Sequence, residues 1–268
     1  MLLPEREALF NEFIHEYETV RQAEQRGSQD PAYYRSLPQH DLSGRMRADW
    51  RIRAASYAAL VRDIVRPMSR LLRRPLSVLD LGAGNGWLSN RLAGAGHHLC
   101  AVDLATNDFD GLGCFRFYET AFTPVQAEFD HLPFPDQAVD LVIFNASFHY
   151  SPDYLHTLRE ARRVLAPAGS LVILDTPFYH DPASGRQMVR EREALFTRQF
   201  GFPSNALHSE NYLTYARLQD LGKVLHLRWR MITPYYGWRW LVRPLAARLR
   251  GRREPARFHL VEGSRVVR

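Results

Sequence analysis

The stretch Val78–Ala93, VLDLGAGNGWLSNRLA, constrains the fold more than any other part of the chain. A short apolar run ends at Gly82, Gly84 and Gly86, and a helix-forming run begins directly after them. Glycines at such a junction let the backbone turn sharply and let a ligand approach where a Cβ would clash. The following helix start offers unpaired N–H groups to whatever lies there. A dinucleotide loop has the spacing G-x-G-x-x-G, but here the third glycine comes one residue early and Trp87 takes its place. Asp80, two positions before the first glycine, suits a cationic amino group better than a pyrophosphate.

From Leu76 onward, short apolar runs alternate with helical patterns, which predicts a parallel sheet. Strands are expected at 77–81, 98–103, 124–127, 139–145, 170–175, 224–230 and 257–261. Helices are expected at 87–95, 152–166, 184–200 and 211–221. Before Leu76 the pattern is helical, with Leu9, Phe13 and Tyr17 on one stripe, a turn-rich break at 27–38 and a second helix over 42–72. The reading is therefore an α/β chain with a seven-stranded, mostly parallel, Rossmann-like sheet and flanking helices. An N-terminal helical cap covers 1–74, and the main domain runs from 75 to 268 with a basic, aromatic, helical insert at 235–253 before the last strand. A chain of 268 residues with 46% hydrophobic and 24% charged residues suits that architecture.

Two further segments carry chemistry. CAVDLATND puts Asp103 at the end of the second strand, where a carboxylate can accept both hydroxyls of a ribose. AEFDHLPFPDQAVDLVIFNASFHY places Glu128 four residues before Leu132-Pro133-Phe134, and Val139-Asp140 opens the fourth strand. Taken in order, the glycine loop, Asp103 and this block resemble the class I, Rossmann-like S-adenosylmethionine (SAM)-dependent methyltransferase family, in its methyltransferase-11 pattern. The resemblance covers about 78–174. It departs in detail, with Glu at 128 where Asp is commoner and Val139 where Phe is usual.

The resemblance implies SAM as cofactor. By it, Gly82, Ala83 and Gly84 pass the methionine part, with Asp80 near its amino group. Asp103 and Leu104 meet the ribose side, and Glu128 and Phe129 meet the adenine, with Asp130 a competitor for Glu128. Asn145 and Ala146 line the methionine side. His149 and Tyr150, just past strand four, are the catalytic candidates, His149 because imidazole titrates near neutral pH. Asp175, Tyr179 and His180 follow strand five and are read as turn or helix-opening residues. Tyr33, Tyr34, Trp50 and Tyr57 are read chiefly as packing residues of the cap. The reaction implied is in-line methyl transfer to a small-molecule acceptor.

Charge and cysteine content narrow the partners. The net charge of +6 is concentrated at the C-terminal end, where twelve Lys/Arg between Lys223 and Arg268 face only Glu254 and Glu262. That basic end, with Trp238, Arg239, Trp240, Arg243, Arg248, Arg250, Arg252 and Arg253, points to an anionic acceptor or a membrane surface. It leaves open an RNA or protein methyltransferase, but no RNA-binding module is recognisable and no Asn-Pro-Pro-Tyr element follows strand four. A non-catalytic SAM-binding subunit and a NAD-dependent oxidoreductase are the remaining readings. With two cysteines, no metal-ligand cluster and no membrane span or leader in the sequence, the expectation is a cytoplasmic, metal-free enzyme.

Overall fold

The computed structural model describes residues 4–266. The cap comprises α1 (Glu7–Ala23), α2 (Pro31–Ser36), α3 (Arg47–Leu60) and α4 (Arg66–Leu72), the last two joined by one wide π-type turn at Val61–Val65. The sheet region then runs β1 (Ser77–Leu81), α5 (Trp87–Gly94), β2 (His98–Asp103), β3 (Thr123–Gln126), β4 (Val139–Asn145), α6 (Tyr154–Val164) and β5 (Leu165–Leu174). After it come β6 (Phe178–Tyr179), α7 (Pro182–Phe200), β7 (Leu213–Thr214), α8 (Tyr215–Leu225), β8 (Leu227–Ile232), α9 (Trp238–Leu249) and β9 (Leu260–Arg265).

Seven strands form one sheet in the order β3-β2-β1-β4-β5-β9-β8. β1 to β5 are parallel, and β9 is antiparallel to both β5 and β8. Strand order reverses at β1, so the ends of β1 and β4 open into the crevice where α/β sheets bind ligands. β6 and β7 pair separately as a small ribbon beside it.

β4 has every residue buried and β1 all but its first, as expected of strands covered on both faces. One core face packs Leu79, Phe144 and Ile173 against α6 and α8. The other packs Val78, Leu141 and Val172 against α5 and, from the cap, Tyr34, Trp50 and Leu60. The cap thus shares a core with the sheet.

Several boundaries differ from expectation, among them those of β5, α8 and the last strand. β5 begins at Leu165 rather than Ser170, because Leu165 pairs with Val139 before a register shift. α8 extends to Leu225, since its left-handed cap is His226 (φ 53°), which moves the next strand to Leu227–Ile232. The last strand lies at Leu260–Arg265, downstream of the expected 257–261.

Candidate functional site

The crevice holds a recess of about 690 Å3, part of it open to solvent. Its floor comes from the ends of four strands: Gly82 after β1, Asp103, Leu104 and Ala105 at β2, Glu128, Phe129 and Asp130 after β3, and Ala146, Ser147 and Tyr150 after β4. Its roof is Arg6 and the α1 side chains Phe10, Phe13, Ile14 and Tyr17.

Glycine at 82 is required twice over. Its φ is +72°, and a Cβ there would lie 2.3 Å from Ser147 Cβ and 3.2 Å from the Phe129 ring. The loop is tied down by Gly82 and Ala83 N–H groups donating to Val102 O at 2.8 and 3.1 Å. Asp103 is fixed in turn, accepting from the N–H of Gly84 at 2.8 Å and of Ala105 at 2.9 Å. Burial pushes its carboxyl up against the pull of those bonds.

Glu128 is nearly fully buried and forms an ion pair with Arg6, with His131 Nδ1 at 3.4 Å. Asp130, its competitor in the sequence, also lines the recess but is engaged elsewhere. It accepts from Thr157 Oγ1 at 2.5 Å and from Arg6 at 3.3 Å.

Of the residues singled out in the sequence, Gly82, Asp103, Leu104, Glu128, Phe129, Ala146 and Tyr150 line this recess. Asp80, Ala83, Gly84 and Asn145 lie outside its lining. Asp80 sits beneath the loop, where Ser89 Oγ donates to its Oδ2 at 2.8 Å. Its Oδ1 and Asn145 Oδ1 are both buried without a hydrogen-bond partner. Asp80 and Asn145 share a sheet face, because Asp80 pairs with Ile143, two residues before Asn145. Burial, with the Asp103 charge adding, pushes the Asp80 carboxyl up to about 7.

Behind the recess lies a second, more open cavity of about 930 Å3. It is lined by Arg21, Glu24, Arg26, Arg53, His149, Asp175, Arg192, Phe258 and others. Phe13, Tyr17, Ala146 and Tyr150 line both spaces and form the wall between them. Asp175, whose φ is +54°, accepts from Ser56 Oγ at 2.5 Å, and its other oxygen is buried without a partner.

His149 lines the cavity as its position after β4 predicts, but its chemistry differs from expectation. Burial, then the charges of Arg192, Arg53 and Arg21, push its imidazole down to about 3. Such a ring is neutral at pH 7 and a poor proton acceptor, which counts against the general-base role read from the sequence.

Asp175 lines the cavity, whereas Tyr179 is buried in the β6 ribbon and His180 stacks on Tyr215. Trp50 and Tyr57 pack edge-on against Trp87, each 5.9 Å away. The insert arginines lie outside the cavity lining: Arg243 stacks on Trp240 at 3.9 Å, and Arg253 pairs with Glu191 at 2.7 Å. Sequence reasoning missed Arg6, Phe13, Tyr17, Arg21, Arg53 and Arg192 as site residues. The Leu9-Phe13-Tyr17 stripe marked only a packing face. Among the described residues no group of three or more His, Cys, Asp or Glu could hold a metal ion, and no helix is long and apolar enough to cross a membrane.

Comparison with known proteins agrees with this layout. Residues 79–173 match a family model described as a methyltransferase domain. The chain is 34% identical over 99 residues to malonyl-(acyl-carrier protein) O-methyltransferase 1 of Coxiella burnetii, covering 37% of this chain and 33% of that protein. It is 30% identical over 127 residues to 27-O-demethylrifamycin SV methyltransferase of Amycolatopsis mediterranei, covering 45% and 47% respectively. The matched stretch thus spans a third to a half of the length of these relatives. A crystal structure of a putative sarcosine dimethylglycine methyltransferase from Galdieria sulphuraria superposes with a TM-score of 0.52 at 17% identity, covering 84% of this chain and 87% of that one. That likeness extends the shared fold across most of the molecule. Residues 79–173 thus match the methyltransferase-domain family, on a seven-stranded sheet of the order β3-β2-β1-β4-β5-β9-β8.

Proposed function

We propose that the protein transfers a methyl group from SAM to a small-molecule acceptor. The observation that carries this reading is the shared wall. A recess lined by the carboxylates of Asp103, Glu128 and Asp130 meets a polar cavity across Phe13, Tyr17, Ala146 and Tyr150.

The residues present fit the cofactor. Asp103 has lone pairs left for a ribose diol, Glu128 is an acceptor for the adenine amino group, and Phe129 offers a ring to pack beside the base. The orphaned oxygens of Asp80 and Asn145 supply acceptors for an ammonium. SAM, when bound, supplies a methyl group on a positively charged sulfur.

The chain's own contribution is positioning. The electron-rich faces of Tyr17 and Tyr150 attract a cation at the wall. The wall also fixes the line along which acceptor and methyl approach, and alignment of this kind contributes on the order of 7–11 kcal/mol in favourable cases. Asp175, with one free oxygen at the cavity, replaces His149 as the candidate to take a proton from the acceptor.

The relatives named for malonyl-acyl-carrier protein and for a rifamycin act on quite different acceptors, and both names favour an acceptor other than nucleic acid. The test is to incubate the protein with methyl-labelled SAM and separated small-molecule, RNA and protein fractions of a cell extract. Label entering the small-molecule fraction, and lost in Asp103→Ala, supports the proposal. Label entering RNA or protein instead overturns the acceptor class, and no transfer at all favours a non-catalytic subunit.

A further inference from the structure

We infer that the acceptor carries a carboxylate or phosphate group, held in the cavity by Arg53 and Arg192. This inference rests on the methyl-transfer reading for calling the bound molecule an acceptor.

Four arginines line the cavity against two carboxylates, Glu24 and Asp175. Arg21 and Arg26 already have partners: Arg21 pairs with Asp110 at 3.5 Å, and Arg26 with Glu24 at 2.6 Å and Asp49 at 3.8 Å. Arg53 and Arg192 form no ion pair among the described residues. Arg53 lies over the Trp50 ring at 5.2 Å, and burial pushes it below its ordinary range although Asp175 is near. Arg192 donates from Nη1 to Asn211 Oδ1 at 3.0 Å, and its Nε is buried without an acceptor.

A desolvated guanidinium without a counter-ion is unfavourable, so an unfilled pair of them marks a place for an anion. The pair is also held in place. Asn211 is fixed by Ser209, through its N–H to Ser209 Oγ at 3.0 Å and its side-chain amide to Ser209 O at 2.8 Å. Ser209 Oγ donates to the backbone carbonyl of His149. Arg192 is therefore posed by a chain of hydrogen bonds that ends next to the wall.

The experiment titrates inorganic phosphate and succinate, separately, into the protein saturated with S-adenosylhomocysteine, using wild type, Arg53→Met and Arg192→Met. The expected result is saturable 1:1 binding of at least one probe, weakened at least tenfold in each variant, with S-adenosylhomocysteine affinity changed less than twofold. Which probe binds tells carboxylate from phosphate. Without probe, removal of an unpaired charge is expected to raise the melting temperature of at least one variant, which a structural arginine would not do. Failure of both probes to bind, or equal binding in all three proteins, overturns the inference. Displacement of S-adenosylhomocysteine by the probes also overturns it, because the arginines would then hold the cofactor's own carboxylate. If S-adenosylhomocysteine fails to bind while a probe still depends on both arginines, the methyl-transfer reading falls and the anion site stands.

A separate observation concerns α9, for which we infer docking on an anionic lipid surface. Trp238, Leu241, Val242, Leu245 and Leu249 form one stripe, each between 46% and 79% exposed. Arg239, Arg248, Arg250 and Arg252 are exposed beside it, and the sequence has no acidic residue between Asp220 and Glu254. The inner side is anchored, with Trp240 stacked on Phe258 at 5.5 Å. An apolar stripe bordered by cations matches acyl chains beneath phosphate headgroups. Co-sedimentation of the full chain with phosphatidylglycerol vesicles is expected, with at least a tenfold loss for Leu241→Glu/Leu245→Glu and weak binding to phosphatidylcholine. No binding, or equal binding by the variant, overturns this, as does a dimer in sedimentation velocity that the same variant dissolves.

Discussion

The rings of Tyr17 and Tyr150 meet edge to face, their centroids 6.2 Å apart and their planes at 90°. One comes from the cap and the other from the turn after β4, so the wall between recess and cavity closes only when cap and sheet are packed together. Burial pushes the Tyr17 phenol well above its ordinary range, so it stays protonated, and it accepts from Arg21 Nη2 at 2.5 Å.

An aromatic wall discriminates by charge. Tyr150→Ala is expected to weaken SAM more than S-adenosylhomocysteine, by about 0.5–2 kcal/mol, because only SAM carries the sulfonium. Calorimetry with both compounds on both proteins measures this. An unchanged affinity ratio would place the sulfur away from Tyr150.

Arg6 occupies the carboxylate that the adenine amino group would use. Binding must share or displace that pair, so Arg6→Ala is expected to tighten S-adenosylhomocysteine several-fold and to speed its association. Stopped-flow fluorescence reads the rate. Weaker binding in the variant would make Arg6 part of the bound site rather than its competitor.

Asp140, the acid of the Val139-Asp140 pair that opens β4, has a structural role in this chain. It accepts two bonds from Arg74, both 2.7 Å, and one from Ser77 N–H at 2.9 Å, clamping β4 to the entry of β1. Burial alone would raise its carboxyl, but these bonds outweigh that and hold it below the ordinary range. Asp140→Asn is expected to cost about 1–3 kcal/mol in urea unfolding. The folded pKa is depressed, so the contribution is complete above the unfolded value of about 3.9 and fades as pH falls through the folded one. A variant as stable as wild type at pH 7 would show the clamp to be idle.

The sheet was legible where physics leaves little choice. β1, β2 and β4 sit at the expected residues because a strand buried on both faces must be a short apolar run between turns. β5 starts ahead of its expected 170–175, because Leu165 pairs with Val139 of β4 before the Pro167-Ala168-Gly169 segment. The recess carboxylates were legible because strand ends fix Asp103 and Glu128 beside the crevice. Arg53, Arg192 and Tyr17 were not, since helical periodicity says that a face packs but not against what. The basic insert drew attention by composition, yet the arginines that reach the cavity come from α1, α3 and α7 and their flanks. Asp175 was seen as a turn residue, and its left-handed backbone agrees, but that same turn delivers a carboxylate to the cavity.

The central claim is that the crevice between β1, β2 and β4 binds an adenosyl cofactor through Asp103. Isothermal titration of S-adenosylhomocysteine into wild type and Asp103→Ala tests it most directly. The account predicts 1:1 binding to wild type and at least a tenfold weaker affinity in the variant, with both proteins equally folded by circular dichroism. Absence of heat with wild type, or an affinity indifferent to Asp103, would contradict it.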